Sequence, residues 1–264
     1  MSEMPPSFET IIFERLGNVA RIVLNRPPVN AINFQLTRDL NQALDLARRD
    51  ETVRAVIITG SGDHAFSAGV DLVELETADG RAMRRFIETF YHEMVELQYK
   101  MGKPTIAAVN GPALAAGVTI AVSCDMLIAS EKARLGYPEI NVGLTPAMHL
   151  VLLPRVVGKY KAFELCFTGD PIDAYEAHRL GLVNKVVPHE RLEAESLALA
   201  QKLAAKSPLA VKYMRDAFYR NLDVEFRKGI GDAADVLCVL KDSEDSHEGM
   251  RAFKEKRAPR WTGR

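Results

Sequence analysis

Hydrophobic positions first alternate with a period of two residues and then follow the spacing of an amphipathic helix. Residues 8–15 and 18–25 alternate, are rich in Ile and Val and flank Gly17, so they predict a β-hairpin. Residues 34–49 carry leucines at helical spacing, with Asn33 and Thr37 as candidate caps. The remaining pattern predicts buried strands at 53–59, 105–109, 126–129 and 183–187, and helices at 80–101, from about 117, and at 174–180.

The order of these elements predicts the fold class. Strands and helices alternate up to about residue 190, and only helical spacing follows from residue 191. Such an order is typical of an α/β core with a C-terminal helical region. We therefore divide the chain into a core at 8–200 and a helical region at 201–264. Residues 1–7 hold two prolines and little apolar material, so they are interpreted as a loose tail.

The charge balance restricts the class of partner. The 264 residues include 34 Lys and Arg and 35 Asp and Glu, a formal net charge of −1. This balance gives no electrostatic basis for nucleic acid or an anionic membrane as the main partner. No apolar stretch reaches the length of a membrane span, and the first residues lack the basic-then-apolar pattern of a secretory signal.

Cysteine and histidine spacing predicts neither disulfides nor a metal site. Cys124, Cys166 and Cys238 lie far apart and fit no zinc-binding spacing, and the histidines form no pair at ligand spacing. A chain without a disulfide framework is expected in the reducing cytoplasm.

One glycine pattern imitates a dinucleotide-binding motif. Residues 60–65 read G-x-G-x-x-A directly after the predicted strand at 53–59. A dinucleotide site needs a helix that opens at the glycines, whereas residues 66–70 are β-prone and broken by Gly69. We interpret residues 60–65 as a tight turn.

Two segments of small residues are candidates for chemistry. Residues 65–72 and 110–117 each follow a buried strand and then enter a loop or a helix. Small residues allow a ligand to approach the main chain closely, and the first N–H groups of a helix are unpaired. Two such N–H groups aimed at one point would form an oxyanion hole. Spacing alone leaves tight packing open as the alternative.

The motifs spread along the chain resemble those of the crotonase superfamily, also called the enoyl-CoA hydratase/isomerase superfamily. The resemblance covers about residues 8–260 and is carried in order by residues 25–27, 30–31, 65–72, 103–111, 113–117, 124–125, 138–143, 168–169, 174–183 and 248–257. It implies a crotonase-like spiral of ββα units whose C-terminal helical region forms trimers, often stacked into hexamers. It also implies an acyl-CoA substrate, with coenzyme A as part of that substrate and no prosthetic group.

The resemblance further implies roles for particular residues. The oxyanion donors would be the backbone N–H groups of Val70 and Ala116. Phe253 and Lys256 would close the CoA site, and a neighbouring subunit could supply them. The other expected CoA- or substrate-binding residues are Val29, Ala31, Ser67, Ala68, Gly69, Asp71, Leu72, Leu114, Gly117, Pro138 and Leu144.

The acid–base residues favour one reaction within the family. Hydratases of the family usually carry two glutamates; Glu139 matches the second, whereas Thr119 stands at the position of the first. A single carboxyl suffices to move a proton from C2 to C4 of a 3-enoyl-CoA, so isomerisation is slightly favoured and hydration stays open. We expect Glu139 to lie in an apolar pocket with a raised pKa.

Several alternatives remain at this stage. His149, in a segment bulkier than the usual one near the acyl end of the pocket, is a candidate second acid or base, and a histidine on a helix surface or packed in the protein is its alternative. The chain could also be a hydrolase or a carbon–carbon bond enzyme of fatty acyl-CoA metabolism. The loss of one glutamate leaves an inactive CoA-binding homologue as a third alternative.

Overall fold

The computed structural model describes residues 7–264, so all but the last residue of the tail expected at 1–7 lies outside the described residues. Two sheets form the scaffold of this part of the chain. The larger sheet has the strand order β1-β2-β3-β4-β6-β9, and the smaller has the order β5-β7-β8. The strands are β1 Ile11–Leu16, β2 Val19–Leu24, β3 Ala55–Gly60, β4 Thr105–Val109, β5 Ala113–Leu114, β6 Met126–Ser130, β7 Arg134–Gly136, β8 Ile172–Asp173 and β9 Lys185–Val187.

The larger sheet begins with the predicted hairpin and continues with parallel strands. β1 and β2 pair antiparallel, and each later neighbour in the sheet pairs in parallel. Parallel strands need long crossover connections, which here carry the helices. The turn interpretation of residues 60–65 agrees with the structure, because no helix opens there and Asn110 binds both sides of the turn. Its Oδ1 accepts from Gly60 N at 3.2 Å, and its Nδ2 donates to Gly62 O at 2.8 Å.

Twelve α-helices occur among the described residues. They are α1 Phe34–Arg49, α2 Leu72–Thr77, α3 Gly80–Ile87, α4 Met94–Tyr99, α5 Ala116–Val122, α6 His149–Val157, α7 Lys159–Thr168, α8 Ala174–Arg179, α9 Leu192–Ala204, α10 Pro208–Asn221, α11 Phe226–Lys241 and α12 Glu244–Lys254. Short 3₁₀ segments cover Pro138–Val142 and His189–Arg191. Asn33 is the N-cap of α1, because its side chain accepts from Leu36 N at 2.8 Å, whereas Thr37 lies inside the helix.

The helix predicted at 80–101 is present over residues 80–99, but its centre is not α-helical. A π-helical segment, Glu88–Glu93, separates α3 from α4. Residues 88–93 contain neither Gly nor Pro, and the amphipathic pattern continues through them, so no local signal marks the change of hydrogen-bonding period. A π segment inserts one extra residue into the helical turn and is frequent at functional sites.

The core lies on both faces of the larger sheet. Leu40 and Leu44 of α1 are fully buried in one cluster with Val56 and Ile58 of β3. The alternate side chains of the strands point to the opposite face, where they pack in a second cluster with Leu192 and Ala200 of α9. The strand residues of this cluster are Val19, Ala55, Ile57, Ile106, Ala108, Ile128 and Val187. This alternation follows from the two-residue period of a strand.

Helix α9 covers the second face of the sheet and crosses residue 200, where the sequence suggested a division. The helices α10–α12 follow it, as the helical spacing predicted. The division at 200 and 201 stays a prediction. No helix between residues 7 and 264 combines the length and the apolar character needed to cross a bilayer.

Candidate active site

Successive turns of the chain stack in parallel and bring three distant segments side by side. Ser67 pairs with Ala113 in an isolated parallel bridge, and Leu114 pairs with Gly136 in the smaller sheet. Hydrogen bonds continue this alignment, since Leu114 N donates to Ser67 O at 2.9 Å and Ala115 N donates to Gly136 O at 2.9 Å. Residue 113 is aligned with both 67 and 135, so the segments that carry residues 70, 116 and 139 lie next to one another three or four residues beyond these aligned positions.

Two main-chain donors are free in this arrangement. Neither Val70 N nor Ala116 N donates a hydrogen bond to another group between residues 7 and 264. The parallel bridge with Ile32 uses the amide of Asp71 and the carbonyl of Gly69, which leaves the Val70 N–H unpaired. Ala116 is the first residue of α5, and the first N–H groups of a helix have no intrahelical acceptor. Both residues line the same cavity, of about 430 Å³.

Glycine allows the two donor segments to approach each other. A Cβ atom on Gly117 would lie 2.5 Å from Ser67 O. A Cβ atom on Gly69, whose φ is +95°, would lie 2.8 Å from Ala115 Cβ. Side chains at positions 69 and 117 would therefore separate the amides at 70 and 116.

Val29 and Asn30, which follow strand β2, hold the segment 65–68 in place by hydrogen bonds. Asn30 is fully buried, and its Nδ2 donates to Ala65 O at 3.0 Å and to Phe66 O at 3.2 Å. Ser67 Oγ donates to Asn30 O at 2.8 Å, and Ala68 N donates to Val29 O at 2.9 Å. These bonds fix the segment in which Val70 lies.

Asp71 is tied to the protein itself. Its carboxylate accepts from the amides of Val73 and Glu74 as the N-cap of α2. Arg26 Nη2 pairs with Asp71 Oδ2 at 2.6 Å, and another Arg26 nitrogen donates to Ala31 O at 3.1 Å. Hydrogen bonds from Arg26 and from the helix amides lower the pKa of Asp71 against the opposing effect of burial. Asp71 thus orients the segment after Val70.

Glu139 enters the cavity from the 3₁₀ segment Pro138–Val142. Its Oε2 is buried and has no hydrogen-bond partner among the described residues. Burial raises the pKa of Glu139, and a hydrogen bond from its own amide opposes that rise only in part. The carboxyl is therefore poised to take up and release a proton closer to neutral pH than an ordinary glutamate.

Thr119 and His149 form a buried pair behind the cavity. Thr119 Oγ1 lies 3.0 Å from His149 Nε2, and each residue is 1% exposed. The imidazole also packs against the ring of Tyr137, with ring centroids 4.6 Å apart. Burial lowers the pKa of His149 to about 3, so its imidazole is neutral at neutral pH.

Sequence reasoning missed most of the apolar wall and three polar side chains, those of Tyr91, Asn141 and Thr145. Tyr91 lines the cavity from the π-helical segment, and burial together with the charge of Glu139 raises its pKa to about 12. The π segment that turns Tyr91 inward has no sequence signal. The other missed lining residues are Leu75, Met83, Phe86, Ile87, Ala115, Val142 and Ala147.

Only some of the expected binding residues line the cavity. Those that line it are Ala68, Val70, Leu72, Ala116, Pro138, Glu139 and Leu144. Ser67, Gly69, Leu114 and Gly117 lie in the backbone segments around the two amides. Phe253, which is 85% exposed at the end of α12, and Lys256 do not line the cavity. Between residues 7 and 264, no group of three or more His, Cys, Asp or Glu side chains is arranged to hold a metal ion.

Comparison with known proteins agrees with this architecture. The family model described as "Enoyl-CoA hydratase/isomerase" matches residues 14–264. The chain belongs to this family. The resemblance to the crotonase superfamily and the expected fold class are thereby confirmed, with a mixed α/β core followed by C-terminal helices.

Similar proteins within the family carry related names. A protein of Rhizobium meliloti named "Probable enoyl-CoA hydratase" is 40% identical over 256 residues, covering 95% of this chain and 97% of that protein. "Crotonyl-CoA hydratase" of Syntrophomonas wolfei is 37% identical, covering 95% of this chain and 97% of that protein. The crystal structure of an enoyl-CoA hydratase from Bacillus anthracis superposes with a TM-score of 0.93 at 33% identity, covering 97% of this chain and all of that one. The similarity thus extends over nearly the whole length of each of these relatives.

Proposed function

We propose that this protein catalyses proton transfer on an enoyl-CoA through a thioester enolate. The amides of Val70 and Ala116 would bind the thioester oxygen, and Glu139 would move the proton at C2. The observation that carries this proposal is that two unpaired N–H groups and a carboxyl with a raised pKa line one cavity. Fixed donors aimed at an oxygen that gains charge are worth about 10²–10³ in rate per donor.

Hydration of a 2-enoyl-CoA is the reaction that we propose. The Glu139 carboxylate takes a proton from water while the water oxygen adds to C3, and the thioester becomes an enolate. The Glu139 carboxyl then returns that proton to C2, which gives a 3-hydroxyacyl-CoA. The hydratase names of the relatives support this choice. The second candidate is isomerisation of a 3-enoyl-CoA, which the presence of one carboxyl favours, because Glu139 alone can move a proton from C2 to C4.

The acyl and CoA ends of the substrate would contact different parts of the site. Apolar side chains, among them Met83, Phe86 and Leu144, surround the cavity and suit a short acyl chain. We propose Val29, Ala31, Ala68, Asp71 and Leu72 as the residues nearest the CoA moiety.

We also propose that the protein is a homotrimer or a hexamer of two trimers. Exposed apolar side chains on the C-terminal helices, such as Phe218, Phe226 and Leu237, support self-association. Phe253 and Lys256 would then close the CoA site of a neighbouring subunit.

Absorbance of the conjugated thioester tests the proposed reaction. Absorbance falls when a 2-enoyl-CoA is hydrated and rises when a 3-enoyl-CoA is isomerised, and an inert CoA-binding protein changes neither. Glu139→Gln should lower turnover by about 10²–10⁴-fold, the usual contribution of a general base, and should keep the affinity for CoA. Glu131→Gln, at an exposed position outside the cavity, is the matched control. Undiminished turnover by Glu139→Gln would refute the role of this carboxyl.

A further inference from the structure

Tyr91 is the only residue with a hydroxyl on an aromatic ring among those lining the cavity that holds Glu139. It lies in the π-helical segment Glu88–Glu93, and its ring packs edge-on against Phe90 at a centroid distance of 5.0 Å. A π segment shifts the side chains that follow it around the helix, and its poorer hydrogen bonding is tolerated where it serves a site. The irregularity therefore coincides with the residue that presents a hydroxyl to the cavity.

The pair formed by Thr119 and His149 lies behind Tyr91. The Thr119 hydroxyl is close enough to Tyr91 to lower the pKa of the phenol in part, against the larger effects of burial and of Glu139. Thr119 is in turn bound to His149 at 3.0 Å, and both are almost completely buried. Thr119 thus contacts the buried His149 and lies near Tyr91, which lines the cavity.

The direction of the hydrogen bonds follows from the neutral imidazole. His149 Nδ1 is buried without a hydrogen-bond partner among the described residues. A buried N–H without an acceptor is rarer than a buried acceptor without a donor, so the proton is assigned to Nε2. Nε2–H then donates to Thr119 Oγ1. The Thr119 hydroxyl proton is therefore left for another acceptor, and the effect of Thr119 on the pKa of Tyr91 identifies the phenol oxygen as the group near it.

We propose that Tyr91 is a catalytic hydrogen-bond donor to the oxygen at C3 of the substrate, with Thr119 and His149 as its positioning residues. This inference rests on the proposed hydration through Glu139. A neutral phenol and a carboxylate that line the same cavity can hold a water molecule, because the phenol donates to its oxygen and the carboxylate accepts its proton. Tyr91, positioned by Thr119, would then donate a hydrogen bond to the substrate oxygen. Thr119 stands at the position where hydratases of the family usually carry a glutamate.

The donor acts on the step that makes or breaks the C3–O bond. In dehydration, the Glu139 carboxylate removes the C2 proton and the enolate forms. The C3–O bond then breaks as the enolate electrons form the C2–C3 double bond, and the departing oxygen takes the proton from Glu139. Tyr91 keeps its own proton and stabilises the charge that builds on the departing oxygen. Hydration follows the same steps in reverse.

Two reactions separate the role of Tyr91 from that of Glu139. Hydration of a four-carbon 2-enoyl-CoA requires a donor at C3, whereas exchange of the C2 protons of a saturated four-carbon acyl-CoA for deuterium involves no oxygen at C3. We expect Tyr91→Phe to lower kcat for hydration by about 10²–10³-fold, as for other lost donors to a charged oxygen, and to have a much smaller effect on the exchange. Glu139→Gln should lower both reactions by about 10²–10⁴-fold. Tyr160→Phe removes an exposed hydroxyl and is the matched control.

Variants of Thr119 test the chain behind the phenol. Thr119→Val removes the hydroxyl at nearly constant shape and should lower kcat for hydration, whereas Thr119→Ser should restore most of it. Added to Tyr91→Phe, Thr119→Val should cause little further loss, because the two residues act through one hydrogen-bond chain. Independent losses that multiply would overturn the positioning role.

The outcomes distinguish this inference from the function on which it rests. If the wild-type protein neither hydrates nor exchanges, the proposed function fails. If it exchanges or isomerises but does not hydrate, the role of Tyr91 is overturned while that of Glu139 stands. A Tyr91→Phe enzyme that hydrates at the wild-type rate, or that loses both reactions equally, also overturns the role of Tyr91.

Discussion

Replacing Ala115 with glycine should stabilise the protein. Ala115 has φ = 49° and ψ = −122°, in a region of backbone space that is open to glycine and strained for other residues. Its N–H donates to Gly136 O at 2.9 Å, which holds this conformation where the second donor segment enters α5. The Ala115 methyl group therefore lies on a backbone that disfavours it.

The size of the effect follows from two opposing contributions. A residue held in a sparsely populated region costs about 1–3 kcal/mol of folding free energy. Glycine also has more conformational freedom than alanine in the unfolded chain, which lowers the free energy of unfolding by about 0.5–1 kcal/mol. We expect a net increase of about 1–2 kcal/mol in the free energy of unfolding, or about 2–4 °C in Tm for a chain of this size.

Urea unfolding at fixed protein concentration measures this change, since association alters apparent stability. Ala121→Gly is the matched control, because Ala121 is fully buried within the regular helix α5. It should lose about 1 kcal/mol or more, the usual difference between Ala and Gly inside a helix. If Ala115→Gly loses as much stability as Ala121→Gly, position 115 is not strained and the reasoning fails.

Two further predictions concern the site. Gly117→Ala should lower kcat by about 10²–10³-fold, because the new Cβ would lie 2.5 Å from Ser67 O and would displace the Ala116 donor. Gly80→Ala is the control, because a Cβ at Gly80 would lie in open space. Equal kcat values for the two variants would contradict the prediction. Burial raises the pKa of Glu139, so kcat should fall as the pH drops through that raised value, and a pH–rate profile without a limb above the ordinary glutamate range would count against it. The raised pKa also means that the charged carboxyl destabilises the fold; Glu139→Gln should therefore raise the urea midpoint above that pKa, with the difference vanishing at lower pH.

Much of the fold could be predicted because its signals are local. The helix predicted at 34–49 has those bounds in the structure, with Asn33 as its cap, since the leucine spacing and the capping side chain lie in one short segment. The smaller sheet could not be predicted, because β5 and β8 have two residues each and show no periodicity. Their pairing depends on register between segments that are far apart in the sequence.

The same distinction between local and long-range signals separates the site residues that were predicted from those that were not. Val70, Ala116 and Glu139 were placed through motifs that surround each residue, and the structure brings all three to one cavity. Tyr91 was missed because its inward orientation depends on a change of helical period in residues 88–93. His149 was singled out by its residue type, but only the three-dimensional structure reveals that Thr119 is its partner.

Irregular and unsatisfied groups concentrate where the chemistry is proposed. Among the described residues, five buried side-chain atoms lack a hydrogen-bond partner, and three of them belong to Tyr137, Glu139 and His149. Each such group costs about 1–3 kcal/mol when buried. The strained Ala115 and the π segment adjoin the same cavity. Packing alone would not favour these features, since apolar replacements would remove the penalty. Glu139, Ala115 and Tyr91 of the π segment line the cavity that holds the two unpaired amides, as expected of a site that binds a charged oxygen.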